Sequence, residues 1–156
     1  MKSFLIKLYK EKKLQIVEPS EEICESYIEK SESNLVSSKI LYDKNCLEEA
    51  VALTYYSMYN LLLSLLFKVG IKSENHSGSI ILLKEVFELD NSLISEAKKE
   101  RIDKQYYTDF EITKQEVSGG IISAEDFSRE LKGFIFGLNN SDIDSFRGKL
   151  KEILKI

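Results

Sequence analysis

The densest group of chemically active side chains lies in the segment ERIDKQYYTDF, residues 100–110. This segment combines an arginine with two tyrosines and two aspartates, namely Arg101, Asp103, Tyr106, Tyr107 and Asp109. An arginine beside tyrosine can bind a phosphate through paired hydrogen bonds and can stack against a base. On an exposed helix, the same residues would instead form a surface Arg–Asp ion pair. The segment is therefore a candidate ligand site, with the ion pair as the alternative.

His76 is the only histidine of the chain and lies in the segment IKSENHSG. Histidine titrates near neutral pH, so His76 could transfer a proton in an active site. The alternative role is structural. In that case His76 would cap the helix that follows or hydrogen-bond a carbonyl of a neighbouring helix.

Three tyrosines precede this segment, in the uncharged run AVALTYYSMYNLLLSLLF. Tyr55, Tyr56 and Tyr59 could present hydroxyl groups to a nucleotide or an RNA base, with Tyr56 as the candidate ligand contact. Aromatic residues at helical spacing also serve as core, which is the alternative. Asn60 in the same run must be hydrogen-bonded if it is buried, which suits a specific contact between helices.

The uncharged run itself must lie either in a bilayer or at the centre of a protein core. Residues 50–67 reach the lower limit of length for a membrane span. Their hydroxyl and amide groups would each cost several kcal/mol if unpaired in lipid. We therefore predict a buried central helix of a soluble protein, with no membrane contact, that ends where Gly70 can adopt a left-handed conformation.

Composition favours one all-α domain spanning residues 1–156. The chain has one proline and seven glycines, with 43% hydrophobic and 31% charged residues. The predicted fold is an up-and-down helical bundle with a core at about residues 20–138. Its four main helices begin near residues 20, 46, 92 and 123, and short helices are added at both ends.

Local signals set the expected helix boundaries. A first helix covers Ser3 to Lys13, and residues 108–120 form an ordered loop because they include a glycine pair. Capping side chains are expected at four helix starts: Ser20, Asn45, Ser123 and Ser141. The buried side of the second helix is predicted to hold Ile23, Tyr27, Leu35 and Leu41. No strands are predicted.

Several classes of function are disfavoured by composition. One histidine and two separated cysteines, Cys24 and Cys46, offer no metal-ligand set at the usual spacing, and we expect no cofactor. A net charge of −4 disfavours a general nucleic-acid-coating protein. The N-terminal stretch lacks the apolar core and cleavage site of a signal peptide, so we expect a cytoplasmic protein.

Positive charge collects at the two ends of the chain. The basic residues there are Lys2, Lys7, Lys10, Lys12, Lys13, Arg147, Lys149, Lys151 and Lys155. If the ends meet in the fold, these residues form one basic patch. Otherwise they are solvated helix faces.

The combination YYSMYNLLLSLLFKVGIKSENHSG resembles a HEPN domain of the UPF0332 type. That family typically shows YYAMF, an apolar helix, a KG turn and a THRG or SHSG loop, followed by a charged helix. Here Tyr55, Tyr56, Met58 and Tyr59 match the first element, residues 76–78 match the loop, and ERIDKQYYTDF matches the charged helix imperfectly. The similarity covers about residues 20–134.

The resemblance implies a helical bundle that dimerises. Many HEPN proteins are toxin ribonucleases that work beside a minimal nucleotidyltransferase antitoxin. The ribonuclease members carry an arginine followed, after about four to six residues, by a histidine, and this chain has no such spacing. At that distance from Arg101 stand Tyr106 and Tyr107, and tyrosine is a poor base at neutral pH.

The leading interpretation is a homodimeric HEPN-type protein that associates with a nucleotide or RNA in a two-component, toxin–antitoxin-like system, without robust nuclease activity. One alternative is an active endoribonuclease toxin with a non-standard site. Its candidate catalytic residues are Arg101, Tyr106, Tyr107 and His76. The other alternative is a structural dimer that binds another protein.

Overall fold

Long helices make up most of the chain, as its low content of proline and glycine predicts. The computed structural model describes residues 1–106 and 111–156, except the side chains at positions 105 and 106. In chain order the elements are α1 (Lys2–Lys10), β1 (Leu14–Ile16), α2 (Glu21–Asp43), α3 (Leu47–Val69), β2 (Ile71–Ser73), α4 (His76–Glu85), α5 (Ser92–Tyr106), α6 (Lys114–Phe136) and α7 (Asn140–Leu154). The predicted all-α fold is confirmed.

The uncharged run forms the centre of the hydrophobic core as helix α3. This helix has the length and hydropathy of a membrane span, and 67% of its most apolar stretch is buried inside the protein. Tyr55, Leu62 and Leu65 are fully buried in it. The other helices each contribute to the same core, for example through Leu5, Cys24, Leu82, Ile94, Ala124 and Leu150. The prediction of a buried central helix is therefore confirmed.

Helices α2 and α3 form the most extensive helix–helix contact. Small and polar side chains let the two backbones approach. Ser31 in α2 donates a hydrogen bond to the carbonyl oxygen of Ser57 at 2.6 Å. Asn60 donates to the side-chain oxygen of Asn34 at 2.6 Å, as its place in an apolar helix requires.

The buried side of α2 differs from the predicted one. Ile23 is 40% exposed, whereas its neighbour Cys24 is fully buried. Tyr27, Leu35 and Leu41 are half-buried. Close packing against α3 favours small residues on the facing side of α2, so a search for large apolar side chains misplaces this face.

Two of the predicted helix starts are displaced by a few residues. Asn45 adopts φ +62° and lies before the helix, so α3 begins at Leu47 without a capping side chain. At α7 the cap is Asn139 rather than Ser141. Asn139 and Asp142 form a reciprocal capping box, which satisfies two backbone N–H groups and outcompetes a single serine hydroxyl.

Helix α6 begins well before Ser123, inside the segment predicted to be a loop. Thr113 caps it by accepting a hydrogen bond from the backbone N–H of Glu116 at 3.1 Å. The glycine pair lies within this helix and costs about 1 kcal/mol per glycine relative to alanine. Burial of Val117 and Ile121 at helical spacing offsets that cost.

A short antiparallel sheet corrects the prediction that the chain has no strands. Strands β1 and β2 pair Leu14 with Ser73 and Ile16 with Ile71. Each strand has three residues, too few for an alternating pattern to be recognised. Helix α1 also ends at Lys10, earlier than predicted, to leave room for β1.

Arg147 fastens α7 to the end of α3. Its Nη1 atom donates to the carbonyl oxygens of Val17, Val69 and Gly70 at 2.7, 2.9 and 3.2 Å. Gly70 ends α3 at φ +81°, as predicted, and a side chain there would collide with Arg147 and Val17. With α7 held in this way, it packs against α1, so the two basic ends of the chain meet.

Candidate functional site between α3, α4 and α5

His76 is the first residue of α4 and lies against the tyrosines of α3. Its ring stacks on Tyr59, with centroids 3.9 Å apart and an interplanar angle of 15°. Its Nδ1 atom lies 2.7 Å from the hydroxyl of Tyr55. The helix cap at this position is Asn75, which accepts from the backbone N–H of Gly78 at 2.8 Å. The capping role considered for His76 is therefore wrong.

The segment between α3 and α4 fixes the position of His76. After Gly70 reverses the chain, β2 leads directly into the N-terminus of α4. Ser79 donates to the hydroxyl oxygen of Ser73 at 2.7 Å and lies 3.1 Å from the hydroxyl of Tyr59. Ser79 thus links the loop to Tyr59, whose ring stacks on the face of the imidazole. Tyr55 contacts the edge of the same imidazole, so His76 is held at its face and at its edge.

Arg101 approaches the same tyrosines from α5. Its Nη1 atom donates to the hydroxyl of Tyr56 at 3.4 Å. The guanidinium carbon lies 5.1 Å from the ring centroid of Tyr55 and 5.4 Å from that of Tyr56, within the range of cation–π attraction. The structure therefore brings together Arg101, Tyr56 and His76, which the sequence offered as separate candidates.

Lys98 is a site residue that the sequence analysis missed. It lies on the same face of α5 as Arg101, and its Nζ atom donates to the hydroxyl of Ser77 at 3.0 Å. Ser77 follows His76 directly, so Lys98 stands beside the imidazole. The available signal was the spacing of three residues between Lys98 and Arg101, which places both on one helix face.

The other predicted site residues are not part of this group of contacts. Asp103 lines a hollow between α4 and α5 together with Ser77 and Lys98. Tyr107, Asp109 and the side chain of Tyr106 lie outside what the structure describes. We call Tyr55, Tyr56, Tyr59, His76, Lys98 and Arg101 the Arg101–His76 cluster.

Burial and charge set the protonation states in this cluster. Burial lowers the pKa of His76 below its ordinary value, and the neighbouring cations Arg101 and Lys98 lower this pKa further. Burial raises the pKa of Tyr55, so this hydroxyl keeps its proton. At neutral pH a neutral imidazole therefore faces a protonated hydroxyl.

These protonation states determine the direction of the hydrogen bond between the two rings. We assign the hydroxyl of Tyr55 as the donor and the lone pair of Nδ1 of His76 as the acceptor. The single proton of the neutral imidazole is then on Nε2. In this state His76 can donate a hydrogen bond through Nε2, while Nδ1, which carries the lone pair, already accepts the hydrogen bond from Tyr55.

The chemistry that this cluster offers is recognition of an anion. Two cations and an imidazole N–H donor lie beside the aromatic rings of Tyr55 and Tyr56. Within residues 1–106 and 111–156, histidine, cysteine, aspartate and glutamate do not come together in threes to hold a metal ion. Cys24 is fully buried, and burial raises the pKa of its thiol to about 11, so it is a neutral core residue.

Fold and cluster together define an all-α protein with a cationic, tyrosine-lined site between three helices. The model of the HEPN domain family matches residues 24–134, which span most of α2 to α6. The chain belongs to the HEPN family.

Two proteins of Methanocaldococcus jannaschii are similar in sequence. "Putative toxin MJ0142" is 31% identical over 122 residues, which cover 74% of this chain and 83% of the relative. "Putative toxin MJ0605" is 29% identical over 115 residues, which cover 69% of this chain and 85% of the relative. The chain therefore resembles both relatives over most of their length.

Proposed function

We propose that this HEPN protein is the toxin-type component of a two-component system, and that its Arg101–His76 cluster binds a phosphate group of RNA or of a nucleotide. The two similar proteins carry toxin names, which supports the first part. Within the family, we assign it to the UPF0332 type because of the YYSMY and HSG motifs.

The observation that carries the binding proposal is the convergence of Arg101 and Lys98 on His76. Both cations lower the pKa of this histidine, so each contributes positive potential at the imidazole. A bound phosphate would neutralise it and accept charge-assisted hydrogen bonds, which are stronger than neutral ones. Tyr56, half-buried beside Arg101, adds a hydroxyl donor and an aromatic face for a base.

The same geometry favours binding over rapid catalysis. A general base needs a free lone pair near the proton that it removes. In neutral His76 that lone pair is engaged by Tyr55. The spacing of arginine and histidine in the family's ribonucleases is also absent from this sequence. We therefore propose that nuclease activity is weak.

A second candidate function is endoribonuclease activity with Arg101 and His76 as the catalytic pair. One observation favours it, because the fold brings these two residues to one site although they are far apart in the chain. In this case RNA binding would have to break the bond between Tyr55 and His76, freeing the imidazole to act as a base.

Binding of a labelled single-stranded RNA, followed by fluorescence anisotropy, tests the proposal. Arg101→Ala should weaken binding by about 5- to 150-fold, which corresponds to the roughly 1–3 kcal/mol of a charge-assisted hydrogen bond. Arg129→Ala is the matched control, since Arg129 is 73% exposed on α6 and pairs with Asp126. Equal affinity of the two variants would show that Arg101 is a structural residue.

We further propose a homodimer that acts with a minimal nucleotidyltransferase partner in the cytoplasm, with no membrane contact. Exposed apolar side chains on neighbouring helices support self-association: Val36 and Ile40 on α2 are 58% and 55% exposed, and Ile122 on α6 is 56% exposed. Light scattering should give twice the chain mass of 18.0 kDa. Ile40→Glu should reduce the measured mass toward that of one chain. A wild-type mass equal to that of one chain would refute the dimer.

A further inference from the structure

Helices α1 and α7 form a groove outside the residues that the HEPN model matches. The residues that line it are Lys2, Ser3, Ile6, Lys149, Glu152, Ile153 and Lys155. An adjoining hollow shares Ser3 and Ile6 and adds Lys7, Lys10 and Glu11, so lysines outnumber glutamates five to two along the two hollows. We call this surface the basic groove, defined by Lys2, Lys7, Lys10, Lys149 and Lys155.

Charge is strongly segregated between this surface and the rest of the chain. Residues 1–13 and 147–155 contain nine lysines and arginines but only two glutamates, whereas the whole chain has a net charge of −4. The remainder of the protein is therefore acidic. A polyanion would be repelled from most of the surface and attracted to the basic groove.

Most cations of the basic groove are available to a ligand. Lys2, Lys7, Lys10 and Lys155 are exposed, and none of the ion pairs among the described residues involves them. Lys149 differs, since it pairs with Glu88 at 2.8 Å. Four exposed lysines along the two adjoining hollows suit an extended chain of phosphates.

The apolar faces of both helices are already covered by protein. Leu5 and Leu8 of α1, and Leu150 and Leu154 of α7, are buried in the core. A helix that lies on a lipid bilayer must insert such a face between lipids. The outward faces carry mainly charged side chains, with Ile6 half-buried between them and Met1 and Ile156 exposed at the helix ends. This predominance of charge favours the backbone of a nucleic acid over a membrane surface.

We infer that the basic groove binds the sugar–phosphate backbone of single-stranded RNA without regard to base sequence. The choice of RNA as the polyanion rests on the proposed function, whereas the groove itself is separate from the Arg101–His76 cluster. Arg147 contributes by fixing α7 against the core through three carbonyl oxygens, so the two lysine-bearing helices keep their relative positions.

Salt-dependent binding of a labelled oligouridine, again followed by fluorescence anisotropy, tests this inference. The groove variant combines four substitutions: Lys2→Ala, Lys7→Ala, Lys10→Ala and Lys155→Ala. A control variant removes four exposed lysines from other surfaces and has the same net charge: Lys30→Ala, Lys44→Ala, Lys72→Ala and Lys84→Ala.

The slope of log affinity against log salt concentration is the decisive quantity. Each phosphate contact with a single strand contributes about 0.7 to the magnitude of this slope. Removal of four lysines should therefore reduce the slope of the groove variant by about 2–3, and the slope of the control variant should change little. Equal slopes for the two variants would overturn the inference. It would also be overturned if the groove variant kept its RNA affinity but lost binding to vesicles of anionic phospholipid.

Arg101→Ala, measured in parallel with a labelled mononucleotide, separates the two proposals. The mononucleotide is too short to span the groove, so the groove variant should bind it normally. If Arg101→Ala has no effect while the groove variant loses oligouridine binding, the groove stands and the Arg101–His76 cluster fails as a site. The reverse result would overturn the groove and leave the cluster.

Discussion

Removal of one buried hydroxyl group, by the substitution Tyr55→Phe, should both destabilise the protein and release His76. Tyr55 is fully buried, and its hydroxyl makes a 2.7 Å hydrogen bond to Nδ1 of His76. Phenylalanine keeps the ring and its stacking but deletes this donor. The imidazole is half-buried, so the freed nitrogen regains some hydration, and the expected loss is about 0.5–1.5 kcal/mol.

Urea and thermal unfolding would measure this loss. For a chain of this size, the corresponding fall in Tm is about 1–6 °C. Tyr27→Phe is the matched control, because Tyr27 stacks on Phe67 and its hydroxyl has no hydrogen-bond partner among the described residues. The free energy of unfolding should fall by less in Tyr27→Phe than in Tyr55→Phe.

Nitrogen-15 NMR of the imidazole tests the direction of the bond as well as its strength. The chain has one histidine, so its two ring nitrogens give the only imidazole signals. At neutral pH the wild type should carry its proton on Nε2, and Tyr55→Phe should give a mixture of the two forms. A proton on Nδ1 in the wild type, or equal stability of Tyr55→Phe and Tyr27→Phe, would refute the assignment.

Three further predictions concern the backbone, catalysis and pH. In urea titrations, Gly70→Ala should lower the free energy of unfolding by at least about 1–2 kcal/mol, the cost of a left-handed conformation. Gly119 lies within a helix with open space around it, so Gly119→Ala should raise the free energy of unfolding by about 0.5–1 kcal/mol. The purified protein should cleave single-stranded RNA slowly or not at all on gels, and rapid cleavage lost in His76→Ala would favour the second candidate function instead. The folded-state pKa of His76 lies below its ordinary value of about 6.5, so protonation favours the unfolded chain. The free energy of unfolding should therefore fall as pH drops below about 6.5, and His76→Gln should show a smaller fall.

Elements with a strong local signal could be predicted from the sequence. The uncharged run and Gly70 define α3 and its end, and Ser20 caps α2 by accepting from the backbone N–H of Ile23 at 3.1 Å. The start of α6 had a local signal as well, because Thr113 and Glu116 stand at the spacing of a helix cap, but the glycine pair that follows has a poor helix propensity and masked it. The cap and the packing of α6 against α2 and α3, a tertiary effect, together offset the cost of the glycines.

The residue types of the site were predictable, but their arrangement was not. His76, Arg101 and Tyr56 come from three helices, and no spacing within one helix brings them together. The tyrosines illustrate the difficulty, because a core side chain can still contact a residue of the site. The ring of Tyr55 is fully buried, and its hydroxyl lies 2.7 Å from Nδ1 of His76.

The most direct test of phosphate binding at the Arg101–His76 cluster is an NMR titration of His76 with a short RNA. A phosphate beside the imidazole offsets the charges of Arg101 and Lys98, so binding should move the ring signals and raise the pKa of His76 toward or above its ordinary value. Arg129→Ala should show the same changes in ring signals and in the pKa of His76 as the wild type. Arg101→Ala should show much smaller changes at equal RNA concentration. Ring signals and a pKa that stay unchanged when the RNA is fully bound would contradict the proposed site.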